Sequence, residues 1–177
     1  MPRYAALLRA INVGGHTVKM DELRTLFESV PLKRVESVIA SGNILFDSAS
    51  TDGAKLESRI EAKLEKALGY EVGTYLRTGA ELAAVSALEP FVRETGDTVH
   101  VIFVREPLAA SARQQVLALA TSYDDFHVEG REIYWRTRGR SSDSKIKPAA
   151  FSRAVGMPGT ARNVNTVRKL AEKLAKV

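Results

Sequence analysis

Leu56, Ile60, Leu64 and Leu68 recur every four residues between the capping-type run Ser50, Thr51, Asp52 and the chain-breaking Gly69. That spacing makes one side of a helix apolar and marks both of its ends. Such a helix must lay its stripe on a partner, and the short apolar runs around it supply one. Residues 4–11 read as a buried strand entering a loop at Asn12, Gly14 and Gly15. Leu23, Leu26, Phe27 and Val30 form one helical face, ended by Pro31. Residues 35–40 and 44–47 read as two strands paired through a turn at Ser41, Gly42 and Asn43, and residues 72–76 as a last strand. The order is βαββαβ, the ferredoxin-like arrangement of an antiparallel sheet with two helices on one face.

The second half approximately repeats that order. A helix over 79–88 leads through Pro90 to a strand over 98–104, and a helix over 108–120 follows. A hairpin of 126–129 and 132–136 turns at Gly130 and Arg131, and a Gly/Ser/Arg loop covers 137–144. Two helices are expected to finish the chain. Pro148 opens the first, which Gly156, Pro158 and Gly159 terminate, and Thr160 caps the second. In that last helix Val164, Val167, Leu170, Ala171 and Leu174 form the apolar stripe, with Arg162, Thr166, Lys169 and Lys173 opposite. The expected organisation is α+β: two packed ferredoxin-like subdomains, 1–78 and 79–177, the second ending in basic helices.

Charge divides the chain at a different point, after residue 130. Residues 131–177 hold 12 Lys/Arg against 3 Asp/Glu, a net of +9, whereas the preceding 130 residues hold 14 against 18, a net of −4. An anion-attracting surface is therefore expected toward the carboxyl end. The chain has no cysteine, which excludes disulfides, thiolate nucleophiles and cysteine-based metal sites. His16, His100 and His127 lie in unrelated contexts without metal-ligand spacing, so no metal and no cofactor are expected. The apolar run at 4–8 is cut by Arg9, too short for a membrane span or signal segment, which makes the expected location cytoplasmic and membrane partners unexpected.

The runs RAINVGGHTVKM and ASGNILF, the pair Tyr134 and Trp135, SKIK after the Gly/Ser loop, and TARNVNTV before the last helix keep one order along nearly the whole chain. In this combination the sequence resembles the DUF1697 family of bacterial proteins. The resemblance implies a compact α+β fold of two subdomains and brings no particular activity with it. The usual form of the last motif looks like TARNWNTV, and Val164 stands here where Trp is typical.

Several polar groups are candidate ligand contacts. Asn12, Gly14 and Gly15 follow a strand and precede a helix, where backbone N–H groups can meet a phosphate, with Arg9 and Lys19 alongside; a tight turn explains the glycines equally. The spacing matches neither a dinucleotide nor a Walker motif. Ser41 and Asn43 are explained by turn chemistry, and in the expected topology their hairpin lies at the end of the sheet opposite the first loop. Ser144, Lys145 and Lys147 follow Arg136, Arg138 and Arg140 in a segment that is either a solvated surface or a phosphate site. Arg162, Asn163, Asn165 and Thr166 are placed in the first turn of the last helix, where the dipole favours an anion. Asp124 and Asp125 read as turn acids.

The leading functional expectation is binding of a phosphate-bearing partner, nucleic acid, nucleotide or another phosphorylated small molecule, through a basic C-terminal surface. The alternative is a metal-independent enzyme acting on a small anionic substrate between the subdomains, with Arg9, Asn12, Asn43, Lys145, Arg162 and Asn163 as its polar groups. The catalytic residues and the oligomeric state are not readable from the chain.

Overall fold

A computed structural model describes residues 1–12, 15–39 and 42–176. Among them the fold is α+β, with two four-stranded antiparallel sheets and six helices. The chain divides into two compact units, Met1–Ala84 with Arg168–Val177, and Val85–Val167. The divisions thus fall after Ala84 and after Val167, where the sequence reading placed one division after residue 78.

In the first unit, β1 (Arg3–Leu8), α1 (Met20–Glu28), β2 (Lys33–Ser37), β3 (Asn43–Asp47), α2 (Gly53–Leu68) and β4 (Thr74–Thr78) follow one another, and the strands lie in the order β2-β3-β1-β4. Ala6 and Leu8 of β1, Ile44 and Phe46 of β3, and Leu76 of β4 form one sheet face. Leu23 and Phe27 of α1 and Leu56, Ile60 and Leu64 of α2 pack on it, so both helices lie on the same side. The expected caps of α2 are present: the Asp52 carboxylate accepts the Lys55 N–H at 3.1 Å, and Gly69, at φ 83°, donates its N–H to the Glu65 carbonyl. The amides of Thr74 and Leu76 on β4 donate to Glu61 and Glu57, one turn apart on α2, at 3.3 and 2.9 Å. The helix thereby covers a sheet edge that would otherwise be open.

In the second unit, β5 (Thr98–Val104), α4 (Ala110–Leu117), β6 (Asp124–Glu129), β7 (Glu132–Thr137), α5 (Pro148–Val155) and β8 (Gly159–Asn163) repeat the order, with strands arranged β6-β7-β5-β8. Helices α3 (Gly79–Ala87) and α6 (Val164–Ala175) carry the chain between the units. Ile102, Val104, Phe126, Val128 and Ile133 from the sheet pack with Val116 of α4 and Ala154 and Val155 of α5.

β8 corrects the sequence reading. Residues 160–163 are not the start of a helix but an edge strand paired with β5, in the register Val104↔Gly159, Ile102↔Ala161 and His100↔Asn163. Gly-Thr-Ala-Arg-Asn lacks the β-branched run that signals a strand, and the free edge of β5 decides the matter instead. Thr160 is therefore not an N-cap; Asn163 takes that role, its side-chain oxygen accepting the Asn165 N–H at 2.9 Å. The close approach makes Gly159 obligatory, because a Cβ there would stand 2.8 Å from the Phe103 carbonyl oxygen. Gly159→Ala is accordingly expected to destabilise the protein by about 1–3 kcal/mol, read as a lower denaturant midpoint; an unchanged midpoint would show that β8 yields without cost.

Candidate functional site

Alternate residues of a strand face the same way, and in the second unit that rule gathers an apolar wall. Phe126 pairs with Trp135 across β6 and β7, Trp135 pairs with His100 across β7 and β5, and Ile102 pairs with Ala161 across β5 and β8. Opposite them stand Pro148 and Phe151 of α5, with Ile146 from the segment before it. Ile102, Phe126, Trp135, Ile146, Pro148, Phe151 and Ala161 enclose a cavity of about 240 Å³ that opens to solvent. The Phe126 and Trp135 rings lie within 7° of parallel with centroids 6.4 Å apart, and Phe126 and Phe151 are stacked at 5.9 Å.

A single buried carboxylate holds this wall in place. Asp124, 1% exposed, accepts the Trp135 indole N–H at 2.9 Å and the Ser144 hydroxyl at 2.6 Å on one oxygen, and the Thr121 hydroxyl at 2.8 Å on the other. Ser144 in turn accepts the Ile146 N–H at 3.2 Å. Asp124 therefore fixes the indole and the segment carrying Ile146 together, a larger role than a turn acid. Ser144, a sequence candidate for phosphate, is committed to this network. His100 stands beside Trp135 at 5.8 Å with its Nδ1 buried and unpartnered, and burial lowers its pKa.

Part of the cationic segment is neutralised. Arg136 lies 3.5 Å from Asp125 and 3.9 Å from Asp97, Arg138 lies 3.3 Å from Asp97 and 3.5 Å from Glu94, and Arg140 forks onto Asp143 with both contacts at 3.2 Å. Lys173 pairs with Glu36 within the first unit. Arg162 is folded along its own strand, donating to the Thr160 hydroxyl at 2.7 Å and the Ala161 carbonyl at 2.9 Å. Burial pushes its pKa down to about 10, so it stays charged at neutral pH. Asn163 caps α6, Asn165 is exposed, Thr166 is half-buried, and Val164 is 4% exposed in the core. Among the described residues of the second unit, Arg93, Arg113, Lys145, Lys147 and Arg153 are exposed cations with no ion pair. Lys145 and Lys147 are the immediate chain neighbours of the lining residue Ile146, and Lys147 precedes Pro148. Arg153, two residues beyond Phe151, lies on the other side of α5.

In the first unit the structure corrects a second expectation. The loop after β1 and the β2/β3 hairpin lie at the same end of the sheet: the Leu8 N–H donates to the Gly42 carbonyl at 2.9 Å, and Leu7 pairs with Asn43. The α1 crossover makes β1 and β2 parallel, so the turn after β2 returns beside the end of β1. Gly14 and Ser41 lie outside the described residues. Asn12 accepts the Val18 N–H at 2.8 Å, while Asn43, 3% exposed, donates to the Ile39 carbonyl at 3.0 Å, so both hold the backbone. Gly15, Arg9 and Lys19 are exposed. The sequence reading missed Tyr70, whose ring stacks on His16 at 3.8 Å and whose hydroxyl donates to the Ile11 carbonyl.

Among the described residues no group of three or more His, Cys, Asp or Glu is placed to hold a metal ion, and no helix is long and apolar enough to cross a membrane. No curated protein matches the chain. A solved structure titled as that of the conserved bacterial protein SP0830 from Streptococcus pneumoniae is similar to it, with 29% identity over 99% of each chain and a TM-score of 0.75. The family model described as a protein of unknown function, DUF1697, matches residues 1–134, which include the β1 loop, the β2/β3 hairpin and Phe126 but end one residue before Trp135. The chain belongs to the DUF1697 family.

Proposed function

We propose that this protein binds a phosphate-bearing ligand, and that the contact lies at Lys145 and Lys147 of the second unit. The observation that carries the reading is the contrast within the basic segment: Arg136, Arg138 and Arg140 are matched by carboxylates, whereas Lys145 and Lys147 are exposed and unmatched. They also precede the N-terminus of α5, whose first turn holds no acidic residue and no side-chain cap, so its N–H groups add to the attraction for an anion. Ammonium groups on flexible stems suit a phosphate as point charges. Nucleic acids and nucleotides fall within the class, and so do phosphorylated small molecules. The α+β order and strand arrangement of each unit also support reading both as ferredoxin-like.

A titration with duplex and single-stranded oligonucleotides and with inorganic phosphate tests the reading. For duplex, log K is expected to fall with log[salt] by about 0.9 per phosphate neutralised. Replacing Lys145 or Lys147 with Ala is expected to reduce that slope by about one. Binding to every probe that neither salt nor the double lysine variant weakens would reject it.

A further inference from the structure

We propose that the cavity of the second unit accepts the flat apolar ring of an aryl phosphate, whose phosphate lies at Lys145 and Lys147; this rests on the phosphate reading above and adds the class of ligand. Four observations carry it. The cavity, at about 240 Å³, is smaller than the roughly 300–1,000 Å³ of drug-sized sites, yet larger than the roughly 150 Å³ that holds a benzene ring. It therefore has room for one ring system. The Trp135, Phe126 and Phe151 rings, stacked on one another in that order, give the cavity an aromatic lining against which another ring can pack.

The third observation concerns hydrogen bonding. The indole N–H is the lining's single side-chain polar group, and Asp124 already accepts it. A nucleobase placed there would bury donors and acceptors with nothing to meet them, whereas a hydrocarbon ring loses nothing. Fourth, the carboxylate behind the wall, Asp124, is occupied by Trp135, Ser144 and Thr121, whereas the cations next to the lining in sequence are unpaired. Lys145 and Lys147 flank the lining residue Ile146 without an acidic partner, which favours an anionic substituent on a ring whose body is apolar.

Trp135 is the chain's only tryptophan, so its emission reports on the cavity alone. Phenyl phosphate, phenol, inorganic phosphate and adenosine monophosphate are titrated into the full chain with emission excited at the indole edge. Phenyl phosphate is expected to change the emission saturably and to bind at least tenfold more tightly than inorganic phosphate or adenosine monophosphate. Ala161→Leu, which fills the cavity from an exposed strand position, and Phe151→Ala are each expected to remove that advantage. Lys145→Ala with Lys147→Ala is expected to weaken phenyl phosphate at least tenfold and to leave phenol unchanged. Equal affinity for phenyl phosphate and inorganic phosphate, both dependent on the lysines, would overturn the aryl assignment while leaving the phosphate reading intact. Tighter binding of adenosine monophosphate would overturn the ligand class. Phenyl phosphate bound through the cavity but indifferent to the lysines would overturn the phosphate reading, and no binding of any probe would overturn both.

Discussion

Asp124→Ala is expected to lower the free energy of unfolding by about 2–4 kcal/mol, more than any other substitution near the cavity. The carboxylate is 1% exposed and accepts from three side chains, Trp135, Ser144 and Thr121, so its removal leaves several donors without a partner at once. Asp124→Asn keeps an oxygen for the indole and for Ser144, and is expected to lose less than half as much. Because the same carboxylate ties β7 to the segment before α5, the Ala variant is also expected to redden the Trp135 emission as water reaches the indole. Denaturant unfolding of the two variants, followed by circular dichroism, measures the difference. A loss below about 0.5 kcal/mol for Asp124→Ala would mean that surface substitution describes this site better than a buried network.

The second large effect belongs to Asp47 at the end of β3. Its carboxylate is 8% exposed and accepts the Arg3 guanidinium at 2.9 Å and that of Arg34. Burial alone would raise its pKa, but the hydrogen bonds from Arg34 and Arg3, with their charge, outweigh it and hold the carboxyl below the usual carboxylate range. A carboxylate held low in the folded state is bound by fewer protons there than in the unfolded chain. Its stabilisation is therefore complete above the ordinary Asp value of about 3.9 and is lost as pH falls from there through the lowered folded value. Asp47→Ala is expected to cost about 1.5–3 kcal/mol at pH 7, with Glu36, 3.4 Å from Arg3, limiting the damage. Below pH 4 the gap between Asp47→Asn and the natural chain should narrow. Thermal unfolding measured from pH 7 to pH 3 reads both effects, and a gap that stays constant with pH would contradict the ion-pair account.

Much of this architecture is legible in the chain because local signals agree with tertiary need. The Asp52 cap, the four-residue spacing of Leu56 to Leu68 and Gly69 all point to α2, and the structure places each in that role. β8 was not legible: Gly159, Thr160 and Ala161 carry no strand signal, and only the free edge of β5, more than fifty residues earlier, makes them one. The same kind of distance hid the charge pattern. Arg136 and Arg138 look like free cations until folding brings them to Asp97, so the basic stretch in sequence is not one continuous free cationic surface. The cavity was hidden for a related reason. Phe126, Trp135, Ile146 and Phe151 come from four segments, and each reads alone as ordinary core. The relation of the β1 loop to the β2/β3 hairpin was readable in principle, since a parallel crossover sets which sheet end each turn occupies.

Backbone amide shifts of the ¹⁵N-labelled chain during a phosphate titration test the central claim most directly, because they report where the anion sits without any variant. The account predicts saturable shifts confined to residues 144–151, around Lys145, Lys147 and the first turn of α5, which vanish in high salt. Shifts centred instead on the carboxylate-paired stretch from Arg136 to Arg140, or none at millimolar phosphate, would contradict it.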